Sequence, residues 1–201
     1  MSHLNSRCEM FWLILLKYHI EYLHSSNNLF IFALSNQIIT NMKINIETLD
    51  RDVFKIALEE EVERQTFTQN TVKRQIKNNI RFDGDSELVD ELDRMRESFR
   101  KISRNHNDVL EISEEERMFL ERLVKNQTII SNSRIADWQP DTSIVTNLKR
   151  SYFEQNKNAS EEEFEKARLD IIQYDINLKN CMKELANILG VEYDDMLTMH
   201  F

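Results

Sequence analysis

The stretch "LVDELDRMRESFRKISRNHNDV", residues 88–109, carries the most regular pattern in the chain. Leu88, Leu92, Met95, Phe99, Ile102, His106 and Val109 recur at spacings of four and three, which on a helix is one a/d heptad stripe. A second stripe repeats the device near the C-terminal end: Phe164, Ala167, Ile171, Tyr174, Leu178, Cys181, Leu185 and Ile188. Both coiled-coil-like helices need a partner along their length. They are expected to pair with each other as an antiparallel hairpin, or with copies of themselves in an oligomer. The expected oligomer seam is therefore Leu88, Leu92, Met95, Phe99 and Ile102 on the first, with Phe164, Ile171, Tyr174, Leu178, Leu185 and Ile188 on the second. His106 and Cys181 fall at seam positions and read as core residues, because a metal site needs several converging ligands and neither has companions in the sequence.

Composition points to the same all-α fold. The chain has 201 residues, 41% hydrophobic and 30% charged, with only two glycines and one proline. Sandwiches and barrels need Gly and Pro at frequent tight turns, and dinucleotide, Walker and nucleophile-elbow motifs need clustered glycines. None of these can be written with Gly84, Gly190 and Pro140. The two cysteines, Cys8 and Cys181, spell no disulfide framework or zinc knuckle, which fits a reducing cytoplasm. The formal charge of −9 works against indiscriminate nucleic-acid binding. Nineteen Asn and twenty Ile against six Ala suggest AT-rich coding DNA, as in a phage, plasmid or low-GC bacterium.

Residues 1–41 read differently from the rest. Their apolar runs "MFWLILL" and "LFIFAL" are too short to span a bilayer and lack the flanks of a secretory signal or the basic face of a membrane-surface helix. "MKINIETLDRDVF", from Met42, has the character of a protein start, so residues 1–41 are expected to be an upstream extension, outside the native protein or loosely ordered. No membrane partner is expected.

From Met42 the punctuation predicts a pair of helices over residues 42–84. Thr48 or Asp50 caps the first, to about residue 66; the second, about 69–82, carries Lys73, Arg74, Lys77 and Arg81 in a run from Arg64 to Phe82 that has no acidic residue. "FDGDSELVDEL" is a helix stop followed by a Ser86 or Asp85 cap. It is not a calcium loop, because Leu88 and Arg94 stand where Gly and Glu are required. Residues 85–201 then hold the first heptad helix, a small three-helix unit and the long C-terminal heptad helix. Ser113 with Glu116, and Ser160 with Glu163, are in capping-box register, so the glutamate triplets beside them are read as helix starts rather than acid/base or metal clusters. Gly190 ends the last helix as a left-handed residue.

The three-helix unit, a helix from Ser113, a short helix Ser133–Trp138 and a third from Asp141, resembles in spacing the DNA-binding segment of response-regulator and sigma-type proteins. There an Ile-Ala of the second helix packs on Val or Ile of the third; here the match is Ile135-Ala136 and Ile144-Val145. The resemblance covers about 40 residues, and Gln139-Pro140 stands in place of the usual turn glycine. It implies a third helix whose outward side chains, Thr142, Thr146, Asn147, Lys149 and Arg150, contact nucleic acid; Arg134 and the basic residues Lys73, Arg74, Lys77 and Arg81 are further candidate contacts. "MKELANILGVEYDDML" likewise resembles the final helices of phage-repressor-type domains, without a recognition helix before it.

No catalytic set stands out. Glu21-x-x-His24 is the only Glu-x-x-His, and a di-iron bundle needs two with further carboxylates. The function expected is non-enzymatic, without cofactor or metal: an oligomerising helical protein that binds a protein partner, including itself. A helix-turn-helix DNA-binding regulator using residues 131–153 stands second, and an enzyme with an unrecognised site third.

Overall fold

The computed structural model describes residues 41–80, 82–140 and 142–197, so expectations for residues 1–40, Arg81 and Asp141 lie outside it. The elements run β1 (Met42–Asn45), α1 (Arg51–Lys77), α2 (Asp85–Ser103), β2 (Val109–Ile112), α3 (Glu114–Asp137), α4 (Ser143–Gln155) and α5 (Glu161–Leu189). The protein is mostly helical, as its composition requires, with one small sheet that the all-α reading omits.

That sheet is an antiparallel ribbon in which Met42 faces Ile112 and Asn45 faces Val109. Both strands alternate: Ile44, Leu110 and Ile112 are buried, while Lys43 and Glu111 form an exposed cross-strand pair at 3.1 Å. The heptad stripe therefore stops early. α2 ends at Ser103, His106 lies exposed in the following loop, and Val109 is 46% exposed on the ribbon, so the core assignment of His106 does not hold.

α1 is one helix of 27 residues where two were expected. "TFTQNT" contains no glycine or proline, and the hydroxyls of Thr66, Thr68 and Thr71 donate back to the carbonyls of Val62, Arg64 and Phe67, which keeps these residues inside the helix. Asp50 supplies the cap, accepting from Val53 N at 3.1 Å. α2 starts instead at Gly84, whose φ of 91° needs a residue without Cβ, and neither Ser86 nor Asp85 caps it; Asp85 Oδ2 accepts from Phe82 N at 2.9 Å.

The two stripes find different partners. α2 folds back on α1, burying Leu88, Leu92, Met95, Phe99 and Ile102, with Gln69 Nε2 donating to Val89 O at 3.2 Å. α5 folds back on α3, with Arg117 meeting the Leu189 carbonyl at one end and Arg168 Nη1 the Trp138 carbonyl, 2.7 Å, at the other. Pairings between helices nearer in sequence thus replace the expected pairing of the two stripes: α1 and α2 close through residues 78–84 at small entropic cost, and α3 and α5 through residues 138–160, which carry α4.

On α5 one column of the expected stripe is displaced by a residue. Phe164, Leu178 and Leu185 are buried and Ile171 lies between them half-buried. The alternate column, however, is Arg168, Asp175, Met182 and Leu189 rather than Ala167, Tyr174 and Ile188, which are half-buried; Cys181 is a core residue, as its seam position predicts. The reason is a second neighbour. α3 occupies the centre of the face, and the flank carrying Tyr174 and Cys181 turns to α1, where Tyr174 Oη donates to Glu60 at 2.8 Å and Cys181 Sγ lies 3.9 Å from the Asp50 carbonyl.

The three-helix unit does not form, since α3 runs unbroken through "KNQTIISN", joining the expected first and second helices. This segment has no breaker, and its Gln127 and Thr128 are buried: Thr128 donates to Val124 O at 2.8 Å and Gln127 to the Ala57 carbonyl of α1 at 3.3 Å. A tight turn at 138–140 leads to α4, capped by Thr142, of which only Val145 is buried. Tyr152 and Phe153 hold its far end against Phe164, with ring centroids 5.5 and 6.1 Å away. Both capping boxes and the left-handed Gly190 are where the sequence puts them.

The core has an apolar half and a polar half. Near the ribbon, Phe54, Leu58, Leu120, Leu123, Met182 and Leu185 are packed dry. One turn further out the same buried faces become Glu61, Gln65 and Thr68 on α1, Gln127 and Ser131 on α3, and Asp175 and Arg168 on α5. Phe99, fully buried, should on replacement by Ala lose roughly 3–5 kcal/mol of stability, whereas Leu169→Ala, at a position 54% exposed, should stay within about 0.5 kcal/mol of wild type in chemical denaturation. Leu178→Asp should abolish cooperative unfolding, because it places an unpaired carboxylate at a 0% exposed position.

Candidate functional site

Most side chains expected to touch nucleic acid are engaged within the fold. Arg134 leans inward between α1 and α5, pairing with Glu60 at 3.6 Å and Asp175 at 3.4 Å. Thr142 caps α4 and donates to the Asp137 carbonyl at 2.6 Å; Thr146 donates to the Thr142 carbonyl. Lys149 pairs with Glu161 across the α4–α5 turn, and Arg150 donates to Asn147 Oδ1 at 2.9 Å. Lys73, Arg74 and Lys77 are exposed on the C-terminal half of α1 and form no ion pair among the described residues. No hydrogen bond or ion pair links them to α4.

Arg134 belongs to a charged cluster that the sequence pattern did not reveal. α1 contributes Glu60, Glu61 and Arg64, α3 contributes Asn126 and Arg134, and α5 contributes Tyr174 and Asp175. Arg64 pairs with Glu61, and Asn126 Nδ2 donates to Glu61 Oε1 at 3.2 Å. Burial pulls the Arg64 guanidinium down to about 9, against the pull of Glu60, so it remains charged at neutral pH. Burial also raises Asp175, with Arg134 opposing, and it raises Tyr174, whose hydroxyl donates to Glu60. The available signal was the seven-residue interval between Arg168 and Asp175, which continues through Met182 to Leu189. Among the described residues no group of three His, Cys, Asp or Glu is placed to hold a metal, and no helix is long and apolar enough to cross a membrane.

Facing outward, α5 presents another surface. Leu169 is 54% exposed and Ile176 38%, with Ile172 half-buried between them. These residues stand at spacings of three and four, one continuous apolar line on the side opposite Tyr174 and Cys181. Ile144 and Leu148 add an exposed pair one turn apart on α4. What this arrangement can do is pack against a helix; nothing in it activates a nucleophile or relays a proton.

Two tests probe the interior. Because the Asp175 carboxyl is raised above its unfolded value, its ionised form costs stability above the folded pKa, and that cost is relieved as pH falls toward the unfolded value. The melting temperature of Asp175→Asn relative to wild type should therefore shift in the variant's favour between pH 4 and pH 8; a pH-independent difference would contradict the assignment. Burial pushes the Cys181 thiol up to about 12, so in a Cys8→Ser background native protein at pH 8 should react with a thiol reagent only on unfolding.

No family model, curated protein or solved structure matches the chain.

Proposed function

We propose that this is a non-enzymatic helical interaction protein that presents the outward face of α5 to another protein. The carrying observation is the exposed line of Leu169, Ile172 and Ile176 on a helix whose remaining faces are already committed to α3 and α1. Large aliphatic side chains singly exposed are ordinary, but a line in helical register along one helix is the form in which helix-in-groove and helix-on-helix recognition is written. α5 is tied at both ends, by its capping box and by Gly190, and at its middle by the Arg134–Asp175 pair.

Nucleic-acid binding is the second reading, and its support is the exposed basic group Lys73, Arg74 and Lys77 on α1. Such binding would be of the phosphate-contacting, salt-sensitive kind rather than base reading by α4, whose Asn147 and Arg150 are bonded to each other. Lys73→Glu/Lys77→Glu would then reduce duplex affinity, and Asn147→Ala/Arg150→Ala would not.

The protein-binding reading is tested by photo-cross-linking in cells that express the full chain. Gln173→p-benzoylphenylalanine, beside the apolar line, should give discrete adducts that disappear in Leu169→Glu/Ile176→Glu, while the same probe replacing the exposed Glu97 of α2 should give none. Equal adducts from both probes, or adducts that survive the double substitution, would count against the α5 surface.

A further inference from the structure

We infer that the occupant of the α5 surface is α5 of a second copy of this chain, lying antiparallel about a two-fold axis between Ile172 and Gln173. The inference rests on the reading of α5 as the interaction surface and goes further by identifying what covers it. At 100° per residue, Glu162, Leu169, Ile172, Gln173, Ile176 and Lys183 fall within an arc of about 100°, and they extend for roughly 30 Å along the helix. Their order is self-complementary. A two-fold between residues 172 and 173 sets Leu169 against Ile176 of the partner subunit, Ile172 against the partner's Gln173, and Glu162 against the partner's Lys183, with each contact made twice.

The two charges at the ends of the line decide the orientation. Glu162 and Lys183 are both exposed and neither forms an ion pair among the described residues, whereas Glu161, Glu165 and Lys179 nearby are already paired with Lys149, Arg168 and Asp195. A parallel pairing would bring Glu162 onto Glu162 and Lys183 onto Lys183. The antiparallel pairing turns both repulsions into attractions and gives the isologous, closed symmetry that limits assembly to a dimer. The small number of apolar residues implies a reversible dimer, in which flanking charge contributes a measurable share of the affinity.

Sedimentation equilibrium on the full chain across micromolar to submillimolar concentration tests this through a charge swap. Wild type should dimerise, and Glu162→Lys and Lys183→Glu should each raise the dimer dissociation constant by roughly 3- to 10-fold at low salt, since each converts two attractions into two repulsions. The double swap Glu162→Lys/Lys183→Glu should restore self-association, and a mixture of the two single variants should form the mixed dimer in preference to either homodimer. Both positions are exposed, and circular dichroism melting checks that the fold persists. A monomeric wild type, or a dimer indifferent to every swap, would overturn the inference. If the Gln173 probe then still cross-links a different protein, the α5 surface keeps its role and only its occupant is wrong; if that probe is silent too, both readings fail together.

Discussion

Arg134 held between Glu60 and Asp175 is the constraint on which the arrangement of the other helices depends. The buried Asp175 carboxylate must keep opposite charge within reach, and here the half-buried arginine that supplies it comes from α3 and also meets Glu60 of α1. Sliding α3 against α5 by a turn would leave the Asp175 carboxylate without its partner in a place where water does not replace it. The apolar contacts between the same helices are tolerant by comparison, since one aliphatic side chain meets another almost as well in the next register. Packing supplies the attraction; the charged cluster selects which of several packings is kept.

The division of the core into a dry half beside the ribbon and a polar half beyond it has a bearing on how evenly the protein holds together. Phe54, Leu120 and Met182 lose contact energy only when the whole domain opens. Gln65, Thr68 and Gln127 exchange their hydrogen bonds for water with little net change, so the far ends of α1 and α3 and the start of α5 are expected to open at lowest free energy. The line of Leu169, Ile172 and Ile176 sits on that more labile half of α5. A second helix laid there adds apolar cover where the interior supplies least.

The parts of the fold legible in the sequence were those governed by local chemistry. Ser113 with Glu116, Ser160 with Glu163, Asp50 and Gly190 each do what their spacing says, because caps depend on three or four consecutive residues. The α2 stripe was legible for the same reason, up to Ser103. Two breaks were read where none exists, at 66–69 and 124–133, because Thr, Asn, Gln and Ser inside a helix look like loop residues until they are seen to bond within the helix or across to a neighbour. Arg134 was read as facing outward because a pattern search assigns apolar residues to the interior and polar residues to the surface, and half of this interior is polar. The ribbon was missed since Val109 fitted the end of the heptad and "MKIN" is too short to announce a strand without knowing its partner. The α5 surface was hidden by the stronger stripe on the same helix, which drew Leu178 and Leu185 into view and left Leu169 and Ile176 unremarked.

The ribbon joins residues nearly seventy positions apart, whereas α1 and α2 close through residues 78–84 and α3 and α5 through residues 138–160. In time, then, the two hairpins are the quick events and the pairing of β1 with β2 is the slow one, since it must wait until α1 and α2 have folded back and brought Asn45 to Val109. Released in the opposite sense, by tension on the chain ahead of Met42, the ribbon is also the first thing to part, its hydrogen bonds giving way in succession from Met42 inward. The same four-residue strand that is last to arrive thus closes one end of the core, where Ile44 packs beside Leu110 and Ile112.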